Sequence, residues 1–385
     1  MVWDQKVARS NRAAPTSNRP LSGSRRIADP RRAMTNPRRF AAEYLHVLTT
    51  RIFAAAGTPP HIADVVAGIL VSANLTGHDS HGVLRIPAYV RAIDAGDLVP
   101  AAVPQVVKET HGTLTIDGGR GFGHYTAREA MRWAIEKARA VDICCVSLVH
   151  AGHIGRLGEY AEQAARSGCI GMVTSGRAGP GVQPTAPYGG AAAALGTNPI
   201  AVGVPAGDGA PFILDYATSR IAVGKIHDAR SRGAILPEGS LVDQAGSPSV
   251  RPQDFYDGGF LLPFGGHKGY ALGVLVSLLG GLSGTFDAAS GTMGGGFMLV
   301  IDVAALVSLE EYQRGARALL SVLRATPPAS GFAEVLAPGD PEHRARVDRE
   351  ANGIEVPEEI VRQISECAHR LGVSMQEESE GTHVH

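Results

Sequence analysis

Gly118-Gly119-Arg120-Gly121-Phe122-Gly123 stands between a strand-like run, Thr113-Leu114-Thr115-Ile116, and a helix predicted over Thr126 to Val141. A doubly wound, nucleotide-binding α/β domain closes its first strand on a Gly-x-Gly-x-x-Gly turn, whose glycines bring the backbone close to a pyrophosphate at a helix N-terminus. Here the glycines fall at other offsets, and no other stretch of the chain carries the pattern. The alternation of strands and helices nevertheless continues. Ile143 to Val149 reads as a strand, Leu157 to Ser167 as a helix, and Ile170 to Thr174, Ile200 to Val204 and Phe212 to Leu214 as further strands between Gly- and Pro-rich loops. The fold class is α/β or α+β, without the doubly wound nucleotide domain.

Helices are expected on either side of this region. Thr35-Asn36-Pro37 reads as a cap with proline at the first helical position, and Phe40, Tyr44, Val47, Leu48 and Ile52 recur at helical intervals up to Gly57. A second helix starts at Thr58-Pro59-Pro60 and stops at Thr76-Gly77, and a third is entered through Asp79. Beyond Lys268 the chain turns helical again, and the apolar run Tyr270 to Leu282 suits a buried helix but is too short to span a bilayer. Phe297 to Ile301 reads as a strand and Pro357 to Leu371 as an amphipathic helix.

With 385 residues, 44% of them hydrophobic, the chain can bury a substantial core. The formal net charge of −1 conceals an asymmetry: residues 1–40 hold ten Lys and Arg against Asp4 and Asp29, so the remainder is acidic on balance. An acidic body does not suit nucleic acid, and no segment suits a membrane. The Arg-, Ser- and Pro-rich head has no apolar periodicity, so disorder is expected up to about Thr35. An organellar address, a nucleic-acid arm and an upstream start codon all suit it; Met34, directly before the first helix signal, favours the last. No apolar run follows Arg25-Arg26, so secretion is not expected and a cytoplasmic location is. Cys144, Cys145, Cys169 and Cys367 have neither zinc-site spacing nor a disulfide framework.

The chemistry-bearing stretch is His78-Asp79-Ser80-His81-Gly82-Val83-Leu84-Arg85-Ile86-Pro87-Ala88-Tyr89. If it is helical, His81, Arg85 and Tyr89 recur every four residues and share one face. An imidazole that exchanges a proton near neutral pH, beside a guanidinium that grips a carboxylate in a fork, is what a small 2-hydroxy or 2-oxo acid requires. Surface helices also carry such residues by chance, and Pro87 is placed to end or kink the helix.

Four further segments combine polar groups with tight-turn glycines: Gly152-His153-Ile154-Gly155-Arg156-Leu157-Gly158-Glu159-Tyr160, Gly196-Thr197-Asn198-Pro199, Leu214-Asp215-Tyr216-Ala217-Thr218-Ser219, and Pro263-Phe264-Gly265-Gly266-His267-Lys268-Gly269-Tyr270. Taken in order with the Asp-Ser-His-Gly stretch, they resemble the type 2 malate/L-lactate dehydrogenase family from about Pro37 to about Val373. The resemblance implies an oxidoreductase dependent on NAD or NADP, acting on a small carboxylic acid. It also implies a family-specific, non-Rossmann fold, with a helical lobe set against a cofactor lobe of mixed, largely antiparallel sheet, in a homodimer. The boundaries expected are a basic extension over 1–34, a helical substrate and dimerisation lobe over 35–110 and again over 259–378, a cofactor lobe over 111–258, and a tail over 379–385.

Residue by residue, the resemblance makes His81 the acid–base group, with Ser80 and Asp215 as its polar support, Arg85 the carboxylate anchor, and Tyr89 a substrate contact. His153 matches a family histidine that touches substrate or cofactor. Gly155, Ser175, Asp215, Tyr216, Ala217, Lys268, Gly339, Asp340 and Pro341 occupy cofactor positions. Asp79 also reads as a helix cap. Tyr216 stands where the family often has methionine, Asp340 where it often has glutamate, and the loop Ser175 to Gly190 is longer than usual. Three rivals remain: a reductase of cyclic imino acids on the same fold, a metal-dependent hydrolase with His78, Asp79, His81 and His153 as ligands, and a protein that binds the cofactor without turnover.

Overall fold

The computed structural model describes residues 38–375 apart from 208, 209 and 232. The basic head, the Thr35-Asn36-Pro37 cap and the tail over 379–385 lie outside the described residues. An eight-stranded sheet forms the centre. Strands β2 (Gln105–Glu109), β3 (Thr113–Asp117), β4 (Ile143–Val149), β5 (Cys169–Ala178), β6 (Ile200–Val204), β7 (Phe212–Tyr216) and β12 (Thr292–Asp302) lie in the order β2-β3-β4-β12-β5-β6-β7, with β11 (Phe286–Asp287) hairpinned onto β12. Within it β3 and β4 pair in parallel and the other pairs are antiparallel. The parallel pair follows from its connection: the chain between β3 and β4 makes the crossover helix α4 (Gly123–Val141), which returns β4 in the same direction. The fold is thus mixed α/β with a mostly antiparallel sheet.

Residues Ala127, Ala130, Met131, Ala134 and Ala138 recur along α4 at helical intervals and are buried against the alternating Cys144, Val146 and Leu148 of β4. Helix α5 (Gly158–Arg166) lies so close to the sheet that a Cβ on Gly203 would stand 2.1 Å from the Ala161 carbonyl oxygen. A separate apolar core gathers α1 (Ala42–Ala55), α2 (Pro60–Leu75), α3 (Ile86–Asp94) and α11 (Glu358–Arg370) around Ile52, Phe53, Ile62, Val66, Leu70 and Ile364. Each such side chain contributes about 1.5–3 kcal/mol on burial. A small sheet, β8 (Leu241–Val242), β9 (Pro248–Ser249) and β10 (Phe260–Leu261), accompanies α6 (Val223–Ser231) and α7 (Pro252–Tyr256). Two helices, α9 (Leu309–Arg324) and α10 (Asp340–Asn352), follow β12.

Three local expectations are corrected. Arg38–Phe40 is strand β1, paired antiparallel with β13 (Ile354–Val356), with Phe40 opposite Ile354; the first helix begins at Ala42. Tertiary pairing overrides the helical spacing of Phe40. The run Tyr270 to Leu282 does form a helix, α8 (His267–Gly280), packed on β5 and β12 through Val276 and Gly280, with Gly273 against Thr218 and Asn198. It is not buried all round: Leu275, Leu278 and Leu282 are 49, 54 and 62% exposed. Third, the segment from Asp79 is not one helix. It makes two 3-10 turns, Asp79–His81 and Val83–Arg85, and becomes α3 only at Ile86, where Pro87 opens the helix instead of breaking it. No described helix is long and apolar enough to cross a membrane.

Candidate active site

Gly82 explains the break. Its backbone is extended (φ −93°, ψ −151°), and a Cβ there would lie 2.0 Å from Asn74 Oδ1. Asn74, near the end of α2, uses that space: its Oδ1 accepts from Val83 N–H at 2.8 Å and its Nδ2 donates to Asp79 at 2.7 Å. Asp79 also takes a two-pronged bond from Arg349 of α10, at 2.6 and 3.0 Å, so it ties the turn to α10 across the molecule. The turn holding His81 is thus clamped from two helices.

Without a continuous helix the expected stripe still converges. The His81 and His153 rings stack with centroids 5.7 Å apart at 14°, and the Tyr89 hydroxyl lies 2.7 Å from His153 Nδ1. Ser80 Oγ lies 3.0 Å from His81 Nδ1, and Arg85 Nε donates to the Ser80 carbonyl at 2.9 Å. Among the described residues no carboxylate pairs with Arg85, so the guanidinium is held by one nitrogen with no protein anion to neutralise it. Burial, then the nearby His153 and Arg85, push the His81 pKa down to about 3. His153, through burial and Arg85, falls to about 4. Both rings are neutral near pH 7, as a proton acceptor must be.

Asp215, at the end of β7, accepts from Gly158 N–H at 2.8 Å and lies 3.6 Å from Arg156 Nε, and makes no direct hydrogen bond to His81 among the described residues. Arg156 is 3% exposed, with Nε and Nη1 lacking hydrogen-bond partners. It lies 4.0 Å from Glu159, which accepts from Ser72 at 2.7 Å; Ser72 in turn accepts from Arg346 of α10 at 3.0 Å. His78 faces Glu342 at 3.4 Å. Burial raises the pKa of both Asp215 and Glu159. This charge cluster, which sequence reasoning passed over, braces the site from behind; its signal was a cation and an anion, Arg156 and Glu159, at the start of a helix otherwise rich in alanine.

The cofactor positions separate into groups. Ser175 lines a cleft of about 450 Å³ with Gly152, Ile154, His150, Arg177 and Gly294. Gly152 and Ile154 flank His153 in sequence, although neither His153 nor His81 lines the cleft. Tyr216 stacks edge-on against Phe264 with centroids 5.4 Å apart, and Phe264 N–H donates to the Thr218 carbonyl. Tyr216 and Ala217 thereby meet the turn that leads to Lys268. Gly155 instead makes room for a buried histidine: its φ is +72°, and a Cβ there would stand 2.6 Å from His124 Nε2. Gly339, with φ +98°, opens α10 against Pro211 and Ile213. Asp340, followed by Pro341 in the first turn of α10, is gripped by Arg324 at 2.8 and 2.6 Å and by Ala337 N–H. The acid of that segment that reaches the catalytic turn is Glu342, through His78. The ligand set of the metal reading is also dispersed, since Asp79 belongs to Arg349 and His78 to Glu342, and no cluster of three or more metal-ligating side chains occurs among the described residues.

With this geometry, the sequence profile of the malate/L-lactate dehydrogenase family matches residues 40–365. The chain belongs to the malate/L-lactate dehydrogenase family. It is 34% identical over 331 residues to the L-sulfolactate dehydrogenase of Methanocaldococcus jannaschii, covering 83% of this chain and 94% of that protein. It is 35% identical over 350 residues to hydroxycarboxylate dehydrogenase B of Escherichia coli, covering 88 and 96%. Among solved structures, the sulfolactate dehydrogenase from Methanocaldococcus jannaschii matches with a TM-score of 0.79 at 32% identity over 88% of this chain and 98% of that one. A Δ1-piperideine-2-carboxylate reductase from Pseudomonas syringae matches with a TM-score of 0.75 at 32% identity, over 86 and 100%. The chain is an oxidoreductase of this dehydrogenase family.

The residues present fit a nicotinamide dinucleotide. The cleft by Ser175 falls in the size range of small-molecule sites. Lys268 is exposed in the first turn of α8, where a bare cation opposes the helix dipole, and no described carboxylate pairs with it. Gly265 and Gly266, with φ of +56° and +62°, open the turn before it. A cation without an anion at a helix start suits a phosphate.

Proposed function

We propose that this protein is a nicotinamide-dependent dehydrogenase of small 2-hydroxy acids, with His81 as the acid–base group and Arg85 as the carboxylate anchor. The observation that carries the reading is the convergence of two neutral, stacked imidazoles with an arginine that has no counter-ion among the described residues. Ser175, Gly152, Lys268, Tyr216 and Ala217 would hold NAD or NADP, and the bound nicotinamide supplies the hydride acceptor or donor. The chain's own part concerns the proton and the carboxylate. Arg85 takes the carboxylate in a fork, because its Nε is already fixed on the Ser80 carbonyl and its other nitrogens remain. His81 accepts the hydroxyl proton as the substrate carbon loses hydride and its C–O bond becomes a carbonyl. The carboxylate on Arg85 also cancels part of the positive field that depresses His81, so substrate binding raises the proton affinity of the base.

Mixing the protein with NADH or NADPH and a panel of 2-oxo acids tests the reading: oxidation of the cofactor by at least one of them is expected. Oxidation by cyclic imines alone would replace it with the imino acid reductase reading, which the Pseudomonas syringae relative favours. Cofactor binding, seen as enhanced fluorescence, with no turnover of either class would overturn both. Arg85→Lys should raise KM by about tenfold to a hundredfold, since a point charge forms no fork. Two copies pairing through the exposed Leu275 and Leu278 of α8 and Leu282 just beyond it complete the proposal, and a monomer by sedimentation would refute that part.

A further inference from the structure

His124 is a buried titratable group that the proposed chemistry does not use. His124 lies on α4 with no exposed surface, and its Nδ1 has no hydrogen-bond partner. Its Nε2 is 3.5 Å from the Tyr89 hydroxyl, whose other polar neighbour is His153 Nδ1 at 2.7 Å. The rest of the Tyr89 ring is packed among Phe53 and Phe122. The hydroxyl therefore has one proton and two imidazole nitrogens to satisfy.

Two arrangements close this chain. In one, Tyr89 donates to His124 and accepts from His153; the remaining proton of His124 must then sit on Nδ1, a buried N–H aimed at no acceptor. In the other, His124 Nε2–H donates to the Tyr89 oxygen, and Tyr89 donates to His153 Nδ1, which leaves only an unprotonated nitrogen without a partner. A buried N–H without an acceptor is the rarer and costlier fault. The 2.7 Å contact suits an O–H···N bond from Tyr89 to His153, and the 3.5 Å contact to His124 is a long, weak one. Burial holds His124 neutral, its pKa well below the usual histidine value, which excludes a third arrangement with both nitrogens protonated.

We infer that His124 is a positioning residue: through Tyr89 it fixes His153 as the tautomer with its proton on Nε2, so that His153 offers the site a hydrogen-bond donor and leaves proton transfer to His81. The direction of the chain runs His124 to Tyr89 to His153. Gly155 is required because any side chain there would occupy the place of the His124 ring. The role of the Nε2–H toward a substrate oxygen rests on the proposed dehydrogenase reading, but the tautomer itself does not.

Two-bond proton–nitrogen correlation spectra of the full-length protein labelled with 15N-histidine, recorded near pH 7 without substrate or cofactor, test the tautomer. An unprotonated Nδ1 and protonated Nε2 on His153 are expected, with assignment by His153→Gln. A protonated Nδ1 on His153 would overturn the inference whatever the enzyme's activity. Tyr89→Phe should give His153 a mixed tautomer signal and raise KM for the 2-oxo acid about tenfold. His124→Phe should blur the His153 pattern in the same way, and His124→Gln, which retains a donor, should restore it. An unchanged His153 spectrum in both Tyr89→Phe and folded His124→Phe would also sink the proposal.

Discussion

The two sides of the site answer acid in opposite directions. In front, His81, His153 and His124 form a pocket of imidazoles kept neutral by burial. Behind, Arg156, Asp215 and Glu159 form a cluster in which burial makes the carboxylates hold protons more readily. The first region requires uncharged groups for its chemistry, and the second uses charge to tie α2, α5, β7 and α10 together. Burial thus serves two ends in adjacent layers: it makes a base available at neutral pH, and it makes the brace intolerant of losing either partner.

The largest effect should come from removing the base. His81→Gln should lower kcat/KM by about 10²- to 10⁴-fold with the circular dichroism spectrum unchanged. A loss under tenfold would move the acid–base role away from the front layer. Next, Arg156→Met leaves Asp215 buried without its cation and should cost about 3–5 kcal/mol in urea unfolding. The double variant Arg156→Met with Asp215→Leu should recover much of that loss, because no lone charge remains. If the single variant is neutral, the rear layer is not a brace.

Acid titration separates the layers. For His81, about 3 in the folded chain against 6.5 unfolded, the unfolded state takes up the proton first as pH falls, so stability present above pH 6.5 is lost progressively below it. His124 acts in the same sense, and each contributes up to about 1.4 kcal/mol of loss per pH unit. Asp215 and Glu159, raised in the folded state, oppose this: they stabilise fully below the unfolded carboxylate value and lose that contribution as pH rises through the folded one. Unfolding free energy should therefore fall from pH 6.5 toward pH 5, more steeply than in His124→Phe. A flat profile would contradict the neutral histidines. The smallest effect belongs to the clamp on the catalytic turn. Arg349→Ala leaves Asp79 partly exposed to water and should cost about 1 kcal/mol, measured in the same urea assay.

Much of the fold was legible because it rests on local pattern. The strand over Ile143 to Val149, the helix over Thr126 to Val141 and the amphipathic final helix all appear close to where the sequence places them, since each buries one face against a large partner. Arg38–Phe40 and the turn at Gly82 were not legible. Their conformations depend on Ile354 and Asn74, which lie far along the chain or on another element.

The residues of the site were readable for a related reason. His81, Arg85, Tyr89 and His153 were singled out by residue type and motif order, and the fold brings their side chains together. Residue type alone does not say which neighbour a charge will meet. Only the tertiary packing decided that Asp215 answers Arg156 and not His81, that Asp340 answers Arg324, and that His124 stands behind Tyr89. Pattern along a chain encodes which face of an element is buried, whereas the partner of a buried charge is set by distances between elements that the chain brings together only on folding.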